Sequence, residues 1–507
     1  MIELARHLPE VAWLIPILPL LAALLVGIRG LLGLTQGDAA ERVTATWVAL
    51  ACWGSLLLLL ALDVSVIWLG WPGQYHYARW FAADHWQGGF SLLLDRLSLP
   101  VATTTALIGV LVSRFSANYL HREAGFHRFF IILAFFLSGI QCVLLSGNGL
   151  LAFVGWEMCG VASFLLIGYA WQRPVATGNA LFAFISNRAG DAGLLFGLGL
   201  SAYWLGSFEW PVLLNARLPL VDLRVLALGF VVAACAKSAQ LPFSPWIARA
   251  LEGPTPSSAI FYGAVLIHAG VFLMLRLHPL LSQVPDVMAG LILIGLLTAV
   301  YAWGCSLVQT DVKSALIFAT LFQVGLMFAA IGAGWTTLAT IHLCLHAAWR
   351  TWQFLLAPSW LALTRETPPP PPSWLRKRVL LYNAAVQRLW MDKLAGTLFA
   401  APTLAIARDV RALEEKFIDR AIGEPGKGMA VQADRPLVCA DGLAGRVLAL
   451  VADGLQQIEN RLLLRTEDSV AQRLMREAGI WLQTLEALLE QPRYLMMAVM
   501  ATFVVIL

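Results

Sequence analysis

Five ionisable residues set inside apolar stretches have the types that proton transfer needs: Glu157, Lys237, Lys313, His342 and His346. Carboxylate, amine and imidazole groups can each take and release a proton. A charge at bilayer depth costs about 2.5–3.5 kcal/mol on translocon scales, so such residues are functional candidates by default. Lys237 stands in AACAKSAQLPFSPWIARALEGPTP with no acidic neighbour in sequence, and Pro242 and Pro245 follow it. Proline removes a backbone donor and crowds the preceding turn, so the spacing predicts a helix that breaks or kinks at Pro242. A broken membrane helix beside a lysine is the arrangement expected where ions cross. Snorkelling to the interface is the plain alternative, and the lysine's place well inside the apolar run argues against it.

A second tier of candidates surrounds these five. His342, His346 and Arg350 recur every four residues and so share one helical stripe. Imidazole is the group whose charge changes most easily near neutral pH. Two histidines on one face also suit zinc, but no third ligand stands at a fitting spacing, and a metal site is not expected. Arg188 and Asp191 can pair, which lowers their joint desolvation cost; a structural ion pair and a relay fit them equally. Glu252 precedes the turn at Pro254 and suits either the path or the cap of the next helix. His268 is either a path residue or a satisfied core histidine. Glu157 has no cation beside it in sequence, which leaves its burial without a structural reason and favours function.

Apolar helices must hold these groups at depth. Of the 507 residues, 59% are hydrophobic and only 13% charged, and mean hydropathy is +0.73; a soluble domain carries about 25% charge. The net charge of +4 is small and dispersed, which excludes a nucleic-acid binder. The cysteines (Cys52, Cys142, Cys159, Cys235, Cys305, Cys344 and Cys439) form no CxxC pair and read as apolar packing residues. Runs of spanning length lie near 11–29, 43–63, 95–115, 127–146, 149–170, 178–205, 225–246, 257–278, 287–306, 308–332 and 335–360. That predicts an all-α polytopic membrane protein of about eleven spans. The first run is expected to be a spanning helix and not a cleaved signal.

Arginine is unevenly shared between alternate loops. One side holds Arg29, Arg42, Arg114, Arg122, Arg128, Arg173 and Arg249, then Arg376, Lys377 and Arg378; the other holds Arg6, Arg79, Arg217, Arg224 and Arg276. The positive-inside rule puts the first set in the cytoplasm and the N-terminus outside. Residues 1–364 are therefore expected to form the transmembrane domain, and 365–375, with Pro368–Pro372, a stiff linker. Residues 376–492 turn amphipathic and are expected to lie, as helices, on the membrane or on a cytoplasmic partner. Residues 493–507 form a short terminal apolar segment that either spans or stays at the interface.

The stretches GWEMCGVASFLLIGY, NRAGDAG, AKSAQLPFSPWIARALEGPTPSSA, QTDVKSALIFATLFQVG and IHLCLHAAWR closely resemble the antiporter-like family. That family includes the largest proton-pumping membrane subunit of respiratory complex I and the large subunit of Mrp sodium/proton antiporters. The resemblance covers most of residues 90–360 and implies an antiporter-like bundle with a broken helix. By this resemblance Glu157 corresponds to the glutamate of the family's fifth helix, Lys237 to the lysine of its broken seventh helix, and Lys313 to that of its central tenth helix. His342 and His346 match the histidine pair that follows.

The chain also departs from the family. Tyr262 stands where a histidine follows the PTP turn, His268 where threonine is usual, and Arg350 replaces a lysine. Arginine does not release its proton usefully, so Arg350 reads as a fixed charge. Apolar spans stop after about Trp360, so the family's later broken helix is missing and the second inverted repeat is truncated. That form resembles the membrane subunit of DAB-type inorganic-carbon accumulation complexes. The resemblance implies a bacterial cytoplasmic-membrane subunit that conducts H+ or Na+ and powers a large, zinc-bearing, beta-carbonic-anhydrase-like partner making bicarbonate from CO2. The chain itself would hold no cofactor and perform no catalysis. A subunit of a complex I-like or Mrp-like assembly, and a membrane anchor with a vestigial ion path, are the rival readings.

Overall fold

A computed structural model describes the backbone of residues 2–83, 86–264, 266–363 and 370–413. The chain opens with α1 (Ile2–His7), α2 (Leu14–Leu31) and the long α3 (Gly37–Leu69). An antiparallel hairpin of β1 (Gly73–Ala83) and β2 (Trp86–Leu94) follows. Next come α4 (Ser98–Tyr119), α5 (Phe126–Leu145), α6 (Gly149–Ile167) and α7 (Pro174–Leu205). The short α8 (Trp210–Leu214) leads to α9 (Leu220–Lys237), α10 (Pro245–Arg249) and α11 (Thr255–Ser258). Helices α12 (Ala269–Leu281), α13 (Pro285–Ser306), α14 (Val312–Gly332) and α15 (Thr336–Leu363) complete the apolar part. Past the proline run lie α16 (Ser373–Arg376), α17 (Val379–Val386) and α18 (Met391–Ala395). A second unit, Ala400–Leu507, is described only in its first residues, where α19 (Ala401–Leu413) exposes Leu404, Ile406 and Val410. The expectations for the rest of 376–492, and for 493–507, lie outside the described residues.

Among the described residues, seven helices are long and apolar enough to cross a membrane: α2, α3, α4, α5, α6, α13 and α14. The other predicted runs also form helices: α7 and α15 each carry several candidate charges, and α9 to α12 are interrupted. The protein is thus a polytopic helical membrane protein. Helix α5 is its centre: every residue from Phe129 to Leu145 is buried, as expected of a helix apolar all round. Around it α2 packs on α3 and α5, α6 on α5 and α7, and α9 on α7 and α12, while α15 packs on α14 and back against α4.

Small residues let neighbouring helices touch through their backbones. A Cβ on Gly155 would stand 2.4 Å from the Gly139 carbonyl oxygen, joining α5 to α6. A Cβ on Gly193 would stand 2.7 Å from that of Gly229, joining α7 to α9, and one on Gly295 2.4 Å from that of Gly325, joining α13 to α14. Close approach of this kind replaces the hydrophobic drive that lipid does not supply.

The hairpin corrects the all-helical expectation. Its register runs from Gly73 opposite Leu94 to Ala83 opposite Trp86, with irregularities at His76/Ala78 and Arg79/Phe81. A spanning-length hydropathy window averages over two strands this short, which is why the pattern escapes it. The hairpin is fixed to the helix ends: Gly147 N donates to Ser91 O at 2.7 Å, Asn148 Nδ2 to Gly89 O at 2.9 Å, and Tyr77 Oη to Pro9 O.

The break after Lys237 also comes earlier than Pro242. Helix α9 stops at Lys237, Ala239 adopts φ 52°, and Gln240 N reaches back to Cys235 O at 2.8 Å while Ala239 N reaches Ala236 O at 3.2 Å. That is a Schellman cap with alanine where glycine is usual; the helix is closed before the proline can clash with it. Pro245 lies in the first turn of α10, where its missing N–H is no loss. A second interruption was not foreseen. The run 257–278 is not one helix: α11 widens into a π-type turn over Ala259–Ala264, and a regular helix resumes only at Ala269.

Candidate functional site

Helices α6, α7 and α9 bring four of the candidates together. Arg188 on α7 forms ion pairs with Glu157 on α6 and, at 2.8 Å, with Asp191 one turn along. Trp156 Nε1 donates to Asp191 Oδ1 at 2.5 Å. Lys237 Nζ donates to the Trp156 carbonyl at 3.2 Å and lies 4.9 Å from the centre of that indole, a cation–π contact. Lys237 is 1% exposed, and Glu157 and Asp191 are also buried. With both acids and both bases ionised, the group is neutral, which is how such charges are tolerated at depth. Sequence proximity misled here: Glu157 does have a cation, Arg188, supplied by the next helix. Its Oε1 remains buried without a hydrogen-bond partner among the described residues.

Gly160 makes the group possible. A Cβ there would stand 2.8 Å from Arg188 Nη2 and 3.6 Å from Lys237 Nζ. The two cations therefore converge on the bare face of α6, one turn beyond Trp156.

The histidines form another group at the second interruption. His268, the residue just before α12, places Nε2 3.0 Å from Nδ1 of His346 on α15. His268 is thus not a lone core histidine. The rings of His342 and His346 lie 6.0 Å apart, and His342 Nε2 is 2.9 Å from Gln323 Oε1 on α14. His268 Nδ1 and His346 Nε2 are buried with no hydrogen-bond partner among the described residues. Among the described residues no three His, Cys, Asp or Glu side chains are grouped to hold a metal ion. The two interruptions touch: Ser238 Oγ, next to Lys237, donates to Ile267 O, next to His268, at 2.6 Å.

The remaining candidates lie elsewhere. Lys313 is not in mid-span; it sits in the first turn of α14, half-buried, and donates to Thr255 Oγ1 at 2.8 Å, itself 3.1 Å from Tyr119 Oη. Its run begins later than hydropathy suggests because Asp311 caps the helix, accepting from Ser314 N at 2.8 Å. Glu252 caps nothing in α11; it pairs with Arg173 at 2.9 Å. Arg350 is buried in line with the histidines and donates to Gln353 at 2.8 Å.

From the sequence Asp95, like Arg96, reads as an interfacial residue at the start of a span, and Asp63 is passed over. Asp95 pairs with Arg276, which is buried on α12. Asp63, well inside α3, accepts from Thr103 Oγ1 at 2.7 Å. An aspartate inside the run 43–63 was the available signal.

Residues 146–367 match the family described as NADH:quinone oxidoreductase/Mrp antiporter, TM, and residues 80–130 match NADH-Ubiquinone oxidoreductase (complex I), chain 5 N-terminus. The chain is 34% identical over 356 residues to the chloroplastic NAD(P)H-quinone oxidoreductase subunit 5 of Cichorium intybus, a match covering 68% of this chain and 48% of that one. The counterpart from Ipomoea purpurea is 34% identical over 360 residues, covering 69% and 50%. The chain thus spans about half the length of the curated relatives it matches. In fold it is similar to a chain of the Mrp complex from Dietzia sp. DQ12-45-1b, with TM-score 0.59, 21% identity, and coverage of 96% of this chain and 62% of that one. Through residues 80–130 and 146–367 the chain belongs to the antiporter-like family of complex I chain 5 and Mrp membrane subunits.

Proposed function

We propose that this chain is a proton-conducting subunit of a multisubunit membrane assembly, with the path running through Glu157, Lys237, His268, His346 and His342, and Lys313 near one end. The observation that carries this reading is the pair of helix interruptions, each with a buried ionisable group at its joint, tied together by the Ser238–Ile267 hydrogen bond. Ionisable groups at unwound points of membrane helices have backbone and water to exchange protons with. The chain would do no bond chemistry itself.

The nature of the assembly has two readings. A complex I-like or Mrp-like assembly is favoured by the matches to those families. A cation-driven inorganic-carbon assembly, with a zinc-bearing beta-carbonic-anhydrase-like partner, is supported by the departures at Tyr262, His268 and Arg350 and by the proline run and charged, amphipathic sequence past residue 367. In either case we place the Arg-rich loop ends in the cytoplasm of a bacterial cell. Purification from native membranes separates the two: a zinc protein with CO2-hydrating activity supports the second, quinone-reductase or antiporter subunits the first.

The conducting role is tested at Lys237 in vesicles holding the whole assembly. Lys237→Ala should abolish gradient-driven proton flux while the assembly persists. Lys237→Arg should also fail, because arginine stays charged. A fully active arginine variant would leave Lys237 only a fixed-charge role.

A further inference from the structure

The stretch just past the proline run has an exposed face that the conducting role does not use. On α13 the residues Leu293, Leu297, Val300 and Trp303 are exposed at helical spacing, the lipid-facing stripe of a span. At the end of that stripe, in the last turn of α13, Trp303 stacks on Trp374 of α16, with ring centres 6.0 Å apart and planes at 13°. Leu375 and Ala385 are buried and fasten the following segment to the bundle. Its other side is bare: Leu380 on α17 is 84% exposed, and Val379 beside it 65%. Water is a poor solvent for such a face, and the Trp303–Trp374 stack sets it beside the end of the lipid-facing stripe. Tryptophans at a span's end mark the depth of the bilayer interface.

Beside this face stand Arg376, Lys377 and Arg378 in one run, all exposed, and none pairs with an acid among the described residues. We propose that residues 373–390 lie in the plane of the membrane interface, with Val379 and Leu380 among the acyl chains and Arg376, Lys377 and Arg378 binding the headgroups of anionic phospholipid. This inference rests on the spanning reading of α13 and on charge complementarity; it is independent of what the path conducts. Clustered basic residues next to a span are drawn to anionic headgroups, while an apolar in-plane face supplies the remaining binding.

The test uses the full chain in its purified assembly, placed in nanodiscs of phosphatidylcholine with or without phosphatidylglycerol. Leu380→Cys carries an environment-sensitive fluorophore, with labelling of the unsubstituted protein subtracted. The expected result is strong quenching by a nitroxide held high on the acyl chain and weak quenching by aqueous iodide. Native mass spectrometry should show retained phosphatidylglycerol. Enrichment should fall roughly a hundred-fold in Arg376→Gln/Lys377→Gln/Arg378→Gln and persist in Arg376→Lys/Arg378→Lys. Quenching by iodide alone would overturn the proposal, as would a label shielded from both quenchers, which would mean a protein partner covers the face. Undiminished phosphatidylglycerol enrichment in the triple variant would overturn the lipid assignment. Loss of flux in Lys237→Ala bears on the conducting role and leaves these outcomes untouched.

Discussion

Replacing Gly160 by alanine adds one methyl group and removes no charge. The new Cβ would stand 2.8 Å from Arg188 Nη2 and 3.6 Å from Lys237 Nζ. An unstrained contact needs about 3.5 Å, so the guanidinium must withdraw by roughly 0.7 Å. Arg188 can do so, because its side chain is 33% exposed and the obstructing atom is its flexible end. Inserting a methylene in a packed interior typically costs about 1–3 kcal/mol, and a mobile neighbour puts this case at the low end. Alanine in place of glycine inside a helix returns roughly 0.5–1 kcal/mol. The melting temperature should therefore hardly move. The ion pair between Arg188 and Glu157 should not survive unchanged, and the two cations should separate. Where geometry of this kind serves transfer, a displacement near 1 Å costs up to about 100-fold. Proton flux in inverted vesicles, followed with a pH-sensitive dye beside a thermal melt, should fall about 10- to 100-fold at unchanged stability. Flux within about twofold of the parent at equal protein level would refute the argument that Arg188 and Lys237 act through their adjacency.

Further expectations follow from the other contacts. His268→Ala and His346→Ala should each lower flux as much as the double variant does, since one 3.0 Å contact joins them; additive losses would separate the two rings. Gly295→Ala should lower thermal stability by about 1–3 kcal/mol, because its methyl would meet a backbone oxygen that cannot step aside; an unchanged melting curve would reject the close approach of α13 and α14. Deleting residues from Pro368 onward should release the partner protein from the membrane. A partner retained at normal yield would place their contact on the bundle.

Much of the bundle was legible because a bilayer imposes a long apolar run on every span. The ionisable residues stood out for the same reason: Lys237 and Glu157 are conspicuous only against a lipid-compatible background. Their partners were not legible. Arg188 lies 31 positions from Glu157, and His346 lies 78 from His268, so the pairings depend on which helices pack together. The break was found from Pro242, but its position was set by a cap at Ala239, a residue with no turn preference of its own. The interruption in 257–278 has no proline to announce it. There Gly263 admits Thr351 of α15, whose Oγ1 would lie 2.2 Å from a Cβ, and only the neighbouring helix shows why the turn widens.

The touching backbones of Gly139 with Gly155, and of Gly193 with Gly229, tie α5 to α6 and α7 to α9 as couples, more tightly than α6 is tied to α7. Helices locked carbonyl to Cα cannot slide or rotate on each other without collision, so relative motion is left to the seams between couples. Glu157 and Trp156 belong to the α5–α6 couple; Arg188, Asp191 and Lys237 belong to the α7–α9 couple. The bonds Glu157–Arg188, Trp156–Asp191 and Lys237–Trp156 all cross that single seam. A slip of about 1 Å along it would strain all three contacts at once. On the proposed conducting role, a change of charge in this group would be felt as a change of packing at that one seam.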